Sequence, residues 1–164
     1  MNDERRTIRV TINGQVFERA VAPNLLLSDF IRHEAELTGT HVGCEHGVCG
    51  ACTILYESQP ARSCLMLAVQ ADGARLETIE SLAKGDALHP LQTAFWEKHG
   101  LQCGYCTPGI LMTMKAFLAE TPNPSEAEIR VALSGNLCRC TGYQQIVEAV
   151  RHAAALLSAA RVAP

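Results

Sequence analysis

A loop with three closely spaced cysteines constrains this chain more than any other feature of its 164 residues. Residues 43–52 read G-C-E-H-G-V-C-G-A-C, a C-x4-C-x2-C spacing formed by Cys44, Cys49 and Cys52. Three thiolates can reach one small object only where the backbone wraps tightly, which glycine allows because it tolerates positive φ. The spacing is typical of plant-type 2Fe-2S clusters. Such a cluster needs a fourth thiolate, and Cys64 is the nearest candidate.

A second group of four cysteines lies in the C-terminal half and consists of two pairs. Cys103 and Cys106 occur in Q-C-G-Y-C-T-P-G, and Cys138 and Cys140 occur in N-L-C-R-C-T-G-Y. Each pair directly precedes a predicted helix, so the positive ends and free amides of two helices can face one anionic site. A thiolate-ligated cluster is such a site, and hydrogen bonds to its sulfurs help to set its reduction potential. We therefore expect a second 2Fe-2S cluster.

Disulfides, zinc and Rieske ligation are the other uses of eight cysteines. Four disulfides would suit a secreted protein, but residues 1–6 contain no apolar signal segment. The second group alone would fit tetrahedral zinc, although the neighbouring C-x4-C-x2-C loop favours iron–sulfur chemistry. A zinc-stabilised interaction module therefore stays open as an alternative. A Rieske centre needs two histidines in place of two cysteines, whereas each group already has four cysteines.

Composition excludes several classes of partner. The net charge is -3 and no basic run is present, so we expect no nucleic-acid partner. No apolar stretch is long enough to span a bilayer. Thiols that bind metal require a reducing compartment, which predicts a cytoplasmic protein. No paired carboxylates, nucleophile–base set or phosphate-binding glycine loop stands out, so we expect no catalytic residue on this chain.

The first half reads as a small α+β unit. Alternating and apolar runs predict four strands, at residues 7–12, 16–21, 53–56 and 75–78. Asn13-Gly14 predicts a type I′ turn between the first two strands, and residues 57–60 predict another turn. Apolar residues at helical spacing predict a helix from about Leu25 to Glu36. This order is compatible with the β-grasp shape of plant-type ferredoxins.

The second half, from about Ile79, has no strand signals and predicts four helices. Their starts are marked by Pro90, by Thr107-Pro108 as N-cap and first turn, and by Ser125/Glu128 and Thr141/Gln144 capping boxes. Short links between these helices predict an antiparallel four-helix bundle. We place the boundary near residues 78–85, which gives domains 1–78 and 79–164.

With both cysteine groups in view, the sequence resembles the small iron–sulfur subunit of the molybdenum hydroxylases. This is the xanthine oxidase, aldehyde oxidoreductase and carbon monoxide dehydrogenase family. The resemblance spans about residues 7–150 and rests on residues 43–52, R-S-C at 62–64, L-Q-C-G-Y-C-T-P-G at 101–109 and G-N-L-C-R-C-T-G-Y at 135–143. The eleven residues between Cys52 and Cys64 fit this family and differ from free plant-type ferredoxins. The implied fold is an α+β protein, with an N-terminal β-grasp ferredoxin-like domain followed by a four-helix bundle.

The resemblance also assigns the candidate site residues by matching position. The implied ligands of an outer cluster are Cys44, Cys49, Cys52 and Cys64, and those of a cluster beside the molybdenum cofactor are Cys103, Cys106, Cys138 and Cys140. Gln102 matches the family glutamine that hydrogen-bonds the pterin, and Cys140 matches the ligand closest to the pterin. The other interpretation of Gln102 is an ordinary polar loop residue.

The resemblance further implies partners and a reaction. The partners are a large molybdopterin subunit, usually with the cytosine dinucleotide form, and a medium FAD subunit, commonly in a dimer of heterotrimers. The reaction is hydroxylation with an oxygen from water, on a substrate selected in the large subunit. Two electrons then pass one at a time through the Cys103-group cluster and the Cys44-group cluster to FAD. The alternative function is a stand-alone two-cluster electron carrier that docks transiently with several partners.

Overall fold

The structure, a computed structural model, describes residues 4–162 of the chain. The predicted domain limits at residues 1 and 164 lie outside this range, as do Met1–Asp3, on which the prediction of no signal segment partly rests. The strands are β1 (Arg6–Ile12), β2 (Gln15–Val21), β3 (Thr53–Tyr56), β4 (Gln59–Arg62) and β5 (Arg75–Glu77). The helices are α1 (Leu27–Asp29), which continues as a π-helical segment (Phe30–Glu34), α2 (Pro90–Glu97), α3 (Thr107–Glu120), α4 (Glu126–Leu133) and α5 (Gln144–Val162).

The strands form one mixed sheet in the order β2-β1-β5-β3-β4, so the protein is α+β. The predicted hairpin of β1 and β2 is confirmed, with Val10 opposite Phe17. Its turn residues Asn13 and Gly14 both have left-handed φ angles, of 53° and 82°, as a type I′ turn requires. Strand β5 runs parallel to β1 and antiparallel to β3 in the centre of the sheet.

Strand β4 was not predicted from the sequence. The predicted turn over residues 57–60 is shorter in the structure, where Glu57 and Ser58 have left-handed φ angles of 47° and 69°. Gln59 already pairs with Tyr56, and Pro60 with Leu55. Proline is tolerated here because β4 lies at the edge of the sheet, where one side of the strand needs no backbone donor.

Residues 4–162 form two main hydrophobic cores. Side chains from the sheet and the π-helical segment form the first core, which includes Ile8, Val10, Ile12, Phe30, Ile31, Ile54 and Leu76. All four longer helices contribute to the second, which includes Leu91, Phe95, Ile110, Met114, Leu118, Ile129, Ile146 and Val150. No helix within residues 4–162 combines the length and hydrophobicity needed to cross a bilayer.

The predicted helix starts are only partly right. The Ser125/Glu128 capping box is confirmed, because the Ser125 amide donates to Glu128 Oε2 at 2.7 Å and the Glu128 amide donates to Ser125 Oγ at 3.3 Å. The Ser125 hydroxyl also donates to Glu128 Oε2 at 2.6 Å, and this bond, followed by that of the Ser125 amide, lowers the pKa of the Glu128 carboxyl. Thr107 is wrong as an N-cap, since the cap position is Cys106 and α3 already includes Thr107.

The Thr141/Gln144 capping box is also wrong. Helix α5 begins at Gln144 rather than near Thr141. Tyr143 has a left-handed φ of 70°, which a helix cannot continue through. The Gln144 side chain instead bonds Glu148 at 3.2 Å and Arg130 at 3.1 Å.

The helices and the sheet pack directly against each other through α3. Met112 and Ala116 of α3 form a small third core with Leu55 of β3. At the start of α3, Gly109 lies against the backbone of the first cysteine loop. A Cβ at Gly109 would clash with the Gly50 carbonyl oxygen and lie 3.0 Å from the Ala51 carbonyl oxygen. Glycine is therefore needed at this position for space.

We expect the variant Gly109→Ala to be less stable than the parent protein. Glycine to alanine inside a helix normally stabilises by about 1 kcal/mol. Here the added methyl group meets fixed backbone atoms, and overpacking of this kind costs roughly 1–3 kcal/mol. Urea unfolding measures the difference. The opposite change on an exposed helical site, Ala127→Gly, calibrates the propensity effect, and a stabilised Gly109→Ala protein would contradict the close packing.

Candidate metal centres

The first four predicted thiols meet at the loop of residues 43–52. Glu45, Gly47 and Gly50 have left-handed φ angles of 56°, 81° and 75°. These reversals wrap the backbone, so that the Cys49 amide donates to Cys44 Sγ at 3.4 Å. The glycine-dependent wrapping predicted from the sequence is confirmed at Gly47 and Gly50.

Cys64 joins this group from a short turn after β4. The amide and hydroxyl of Ser63 both donate to the Cys52 carbonyl, at 3.3 Å and 2.8 Å. This anchors the turn and places the Cys64 thiol beside that of Cys52. Both are buried, whereas Cys44 and Cys49 are half-buried. The structure therefore brings together the four cysteines that the sequence grouped.

The surroundings of the first group shift the pKa values of its thiols in opposite directions. Backbone amides, first that of Cys49 and then that of His46, lower the pKa of Cys44 to about 6. Burial raises the pKa of Cys64 to about 11. The loop thus directs backbone N–H groups at the half-buried Cys44 sulfur. Hydrogen bonds of this kind stabilise a negatively charged thiolate.

The four cysteines of the second group lie in the two loops that precede α3 and α5, and they form two contacts from one loop to the other. Cys103 and Cys140 are exposed, with their sulfurs 3.5 Å apart. Cys106 and Cys138 are half-buried, and their thiols also lie next to each other. Burial raises the pKa of Cys106 to about 12. The site therefore has an inner edge against the helical core and an outer edge at the surface.

The donor set of each group fits a binuclear cluster. Among the residues from 4 to 162, no three His, Cys, Asp or Glu side chains are arranged to hold a single metal ion. A 2Fe-2S core makes a different demand, because each iron takes two protein ligands. Each group supplies four thiols. The nearest histidine, His46, contacts the Cys44 carbonyl through Nδ1 rather than a thiol.

The two thiol groups are joined by a backbone hydrogen bond. The Leu137 amide donates to the Cys49 carbonyl at 2.8 Å. Leu137 directly precedes Cys138, so a cysteine of each group is connected by a few covalent bonds and one hydrogen bond. The two sites are therefore neighbours within one chain.

Asn136 is a functional candidate that the sequence analysis missed. It is only 1% exposed, and its Nδ2 donates to the Gly50 carbonyl at 3.1 Å. Its Oδ1 accepts from Thr113 Oγ1 at 3.0 Å. Arg62 supports the same contact, since its Nη2 donates to the Gly135 carbonyl at 2.6 Å. Nothing local in the sequence distinguishes Asn136 from an exposed loop residue, because its partners lie far away along the chain.

Tyr105 forms a second connection between the two cysteine loops. It lies between Cys103 and Cys106 in the sequence, and its hydroxyl donates to the Val42 carbonyl at 2.6 Å. Its ring stacks on His41 with 4.8 Å between the ring centroids. The sequence analysis did not assign this connecting role to Tyr105. The signal that could have indicated it is an aromatic residue between the two cysteines of the C-x2-C motif.

Gln102 lies beside the outer edge of the second group. It is exposed, and its side chain makes no hydrogen bond with any other residue in the described range. A side chain of this kind is free to contact a partner molecule. Its predicted bond to a pterin stays a prediction.

Two known domain families match the chain, one on each thiol group. The 2Fe-2S iron-sulfur cluster binding domain matches residues 10–83, and the 2Fe-2S binding domain matches residues 78–151. The chain is thus an iron–sulfur protein with two 2Fe-2S binding domains.

Relatives of known activity extend this result. Caffeine dehydrogenase subunit gamma of Pseudomonas sp. (strain CBB1) is 59% identical over 147 residues, which cover 88% of this chain and 88% of that protein. The iron-sulfur-binding subunit of xanthine dehydrogenase from Escherichia coli O157:H7 is 44% identical over 154 residues, with 91% of this chain and 94% of that protein covered. The chain belongs to the family of small iron–sulfur subunits of the molybdenum hydroxylases.

Solved structures agree with this family. A chain of quinoline 2-oxidoreductase from Pseudomonas putida 86 is 49% identical, superposes with a TM-score of 0.92, and the match covers 97% of this chain and 98% of that one. Aldehyde oxidoreductase from Desulfovibrio gigas is 39% identical with a TM-score of 0.89, over 94% of this chain but 17% of that one. In that protein the equivalent region is therefore part of one longer polypeptide.

We expect Asn136→Ala to destabilise the protein by about 1–3 kcal/mol, because it removes the buried hydrogen bonds that the Asn136 side chain makes with the Gly50 carbonyl and Thr113 Oγ1. Urea unfolding measures the loss. Asn123→Ala is the matched control, since Asn123 is exposed and accepts a single surface bond from Ser158; its effect should stay within about 0.5 kcal/mol. Equal effects of the two substitutions would show that Asn136 has no special structural role.

Proposed function

We propose that this chain is the electron-transfer subunit of a heteromeric molybdenum hydroxylase. It would relay electrons from a molybdopterin centre on a large partner, through two 2Fe-2S clusters, to FAD on a medium partner. The observation that carries this proposal is the hydrogen bond from Leu137 to Cys49, which connects two complete sets of four thiols. Two one-electron sites so close together suit a relay better than two independent structural metal sites.

The proposed ligands follow from the two thiol groups. Cys44, Cys49, Cys52 and Cys64 would hold one cluster, and Cys103, Cys106, Cys138 and Cys140 would hold the other. When bound, each cluster supplies a site that takes up and releases one electron at a time. The residues of the chain position the thiols, exclude water from the inner sulfurs and direct amides at the outer ones.

We also propose the finer architecture predicted from the sequence. Residues 1–78 would form a β-grasp ferredoxin-like domain and residues 79–164 an antiparallel four-helix bundle. The separate cores of the sheet and the helices support this division. The cytoplasm is the compartment that suits it, because eight free thiols stay reduced there until iron is bound.

The exposure of the second group supports an order for the relay. Cys103 and Cys140 reach the surface next to exposed Gln102. We propose that this edge faces the molybdopterin, in its cytosine dinucleotide form, with Gln102 and Cys140 as the contacting residues. The first cysteine loop would then face FAD, in an assembly that is a dimer of heterotrimers.

Reciprocal cysteine variants test the ligand assignment. We expect the reduced protein to show two distinct EPR signals of 2Fe-2S type. Cys103→Ser should remove one signal and Cys44→Ser the other, so that each variant serves as the control for its counterpart. Loss of both signals in either variant, or of neither, would contradict the division into two groups of four.

Isolation of the complex tests the relay itself. Purification through a tag on this chain should recover FAD and molybdenum in equal amounts, because both would be held by stably bound partners. In the Cys103→Ser complex, substrate should still reduce molybdenum but flavin reduction should become at least about tenfold slower. A chain that purifies alone with both clusters would instead favour the stand-alone electron carrier.

A further inference from the structure

We propose that the hydroxyl of Thr141 donates a hydrogen bond to the Cys138 sulfur and thereby raises the reduction potential of the second cluster above the value its cysteines alone would give. This inference rests on the proposed function, because it concerns the cluster held by Cys103, Cys106, Cys138 and Cys140. It assigns Thr141 as a positioning residue that tunes the relay rather than as a ligand.

The direction of this hydrogen bond follows once Cys138 binds iron as a thiolate. Thr141 Oγ1 lies 3.1 Å from Cys138 Sγ. The Tyr143 amide donates to the same oxygen at 3.1 Å. An amide can only donate, so this bond uses one acceptor position of the hydroxyl and leaves its single proton available. A thiolate that binds iron has no proton of its own and can only accept.

The loop around Cys138 holds both partners in place. The Cys138 amide donates to the Tyr143 hydroxyl at 2.8 Å, and that hydroxyl donates to the Asn136 carbonyl at 3.2 Å. Gly142, between Thr141 and Tyr143, has a left-handed φ of 66°, and the Tyr143 amide donates back across it to Thr141. The Tyr143 hydroxyl therefore donates its proton to a carbonyl and not to Cys138. The side chain that contacts the Cys138 sulfur is that of Thr141.

This contact acts on the reduction potential through charge. Reduction adds one electron and neither makes nor breaks a bond, so a cluster with four thiolates changes from about −2 to about −3. A hydrogen bond to an anionic acceptor strengthens as the acceptor becomes more negative. The Thr141 hydroxyl therefore stabilises the reduced form more than the oxidised form.

The two sites differ in this respect. In the first group, amides of the cysteine loop contact Cys44 Sγ. Within residues 4–162, Thr141 is the residue whose side-chain hydroxyl contacts one of the eight thiols. Loss of that hydroxyl should consequently affect one cluster and leave the other as an internal reference.

The test uses the intact complex and the isosteric variant Thr141→Val. A dithionite titration with redox mediators, followed by EPR, gives the potentials of both clusters in one sample. We expect the second cluster to become about tenfold harder to reduce, a shift of about 59 mV for a one-electron couple. The first cluster should keep its potential, and Thr141→Ser, which retains the hydroxyl, should restore most of the shift.

Thr121→Val is the matched control. It removes another threonine hydroxyl, at the C-terminal end of α3, whereas Cys106 caps the N-terminal end of the same helix. Both potentials should stay unchanged in this variant. If Thr141→Val does not assemble, Thr141→Ala provides the same loss of hydroxyl with less bulk.

Three outcomes would overturn the inference: an unchanged second potential in Thr141→Val or Thr141→Ala, an equal shift in Thr121→Val, or no recovery in Thr141→Ser. Each of these leaves the proposed function intact, because both signals are still present and turnover can continue. Failure of the proposed function is recognised differently, by parent protein that shows no 2Fe-2S signal at all, and that result would overturn the inference as well.

Discussion

The carbonyl groups of the first cysteine loop hold the protein together where its two halves meet. Cys49 and Gly50 accept hydrogen bonds from Leu137 and Asn136, which belong to the loop before α5. Gly109 allows α3 to pack on the same stretch of backbone. The residues that place the thiols are therefore also the residues that dock helices on the sheet. Site geometry and overall stability depend on one small region of backbone contacts.

The structure brings four thiols together in each group, but it does so in two different ways. The first lies in a loop turned by left-handed residues, where the amides of Cys49 and His46 approach the Cys44 sulfur, while Cys52 and Cys64 are buried. The second is assembled from two separate loops at the starts of α3 and α5, so its inner pair is sheltered and its outer pair is exposed. Chemically similar clusters would thus experience unequal solvent, dipoles and hydrogen bonds, which are the properties that separate reduction potentials.

Features encoded by short segments could be predicted from the sequence. The Asn13-Gly14 hairpin and the Ser125/Glu128 capping box each depend on a few adjacent residues, and both are confirmed. The structure also brings together the two groups of four cysteines that the sequence analysis predicted. The ligand roles of those cysteines stay predictions.

Features that depend on distant partners could not be predicted in this way. Strand β4 contains Pro60, a residue that usually argues against a strand, and is acceptable only because it ends up at the sheet edge. Thr141 looked like a helix cap, yet its hydroxyl contacts Cys138 instead. The bond from Leu137 to Cys49 also has a consequence for synthesis. Its donor lies far along the chain from its acceptor, so in a nascent chain the Cys49 carbonyl lacks this bond until residue 137 has left the ribosome. During synthesis, the first cysteine loop therefore gains its contacts with the C-terminal half last.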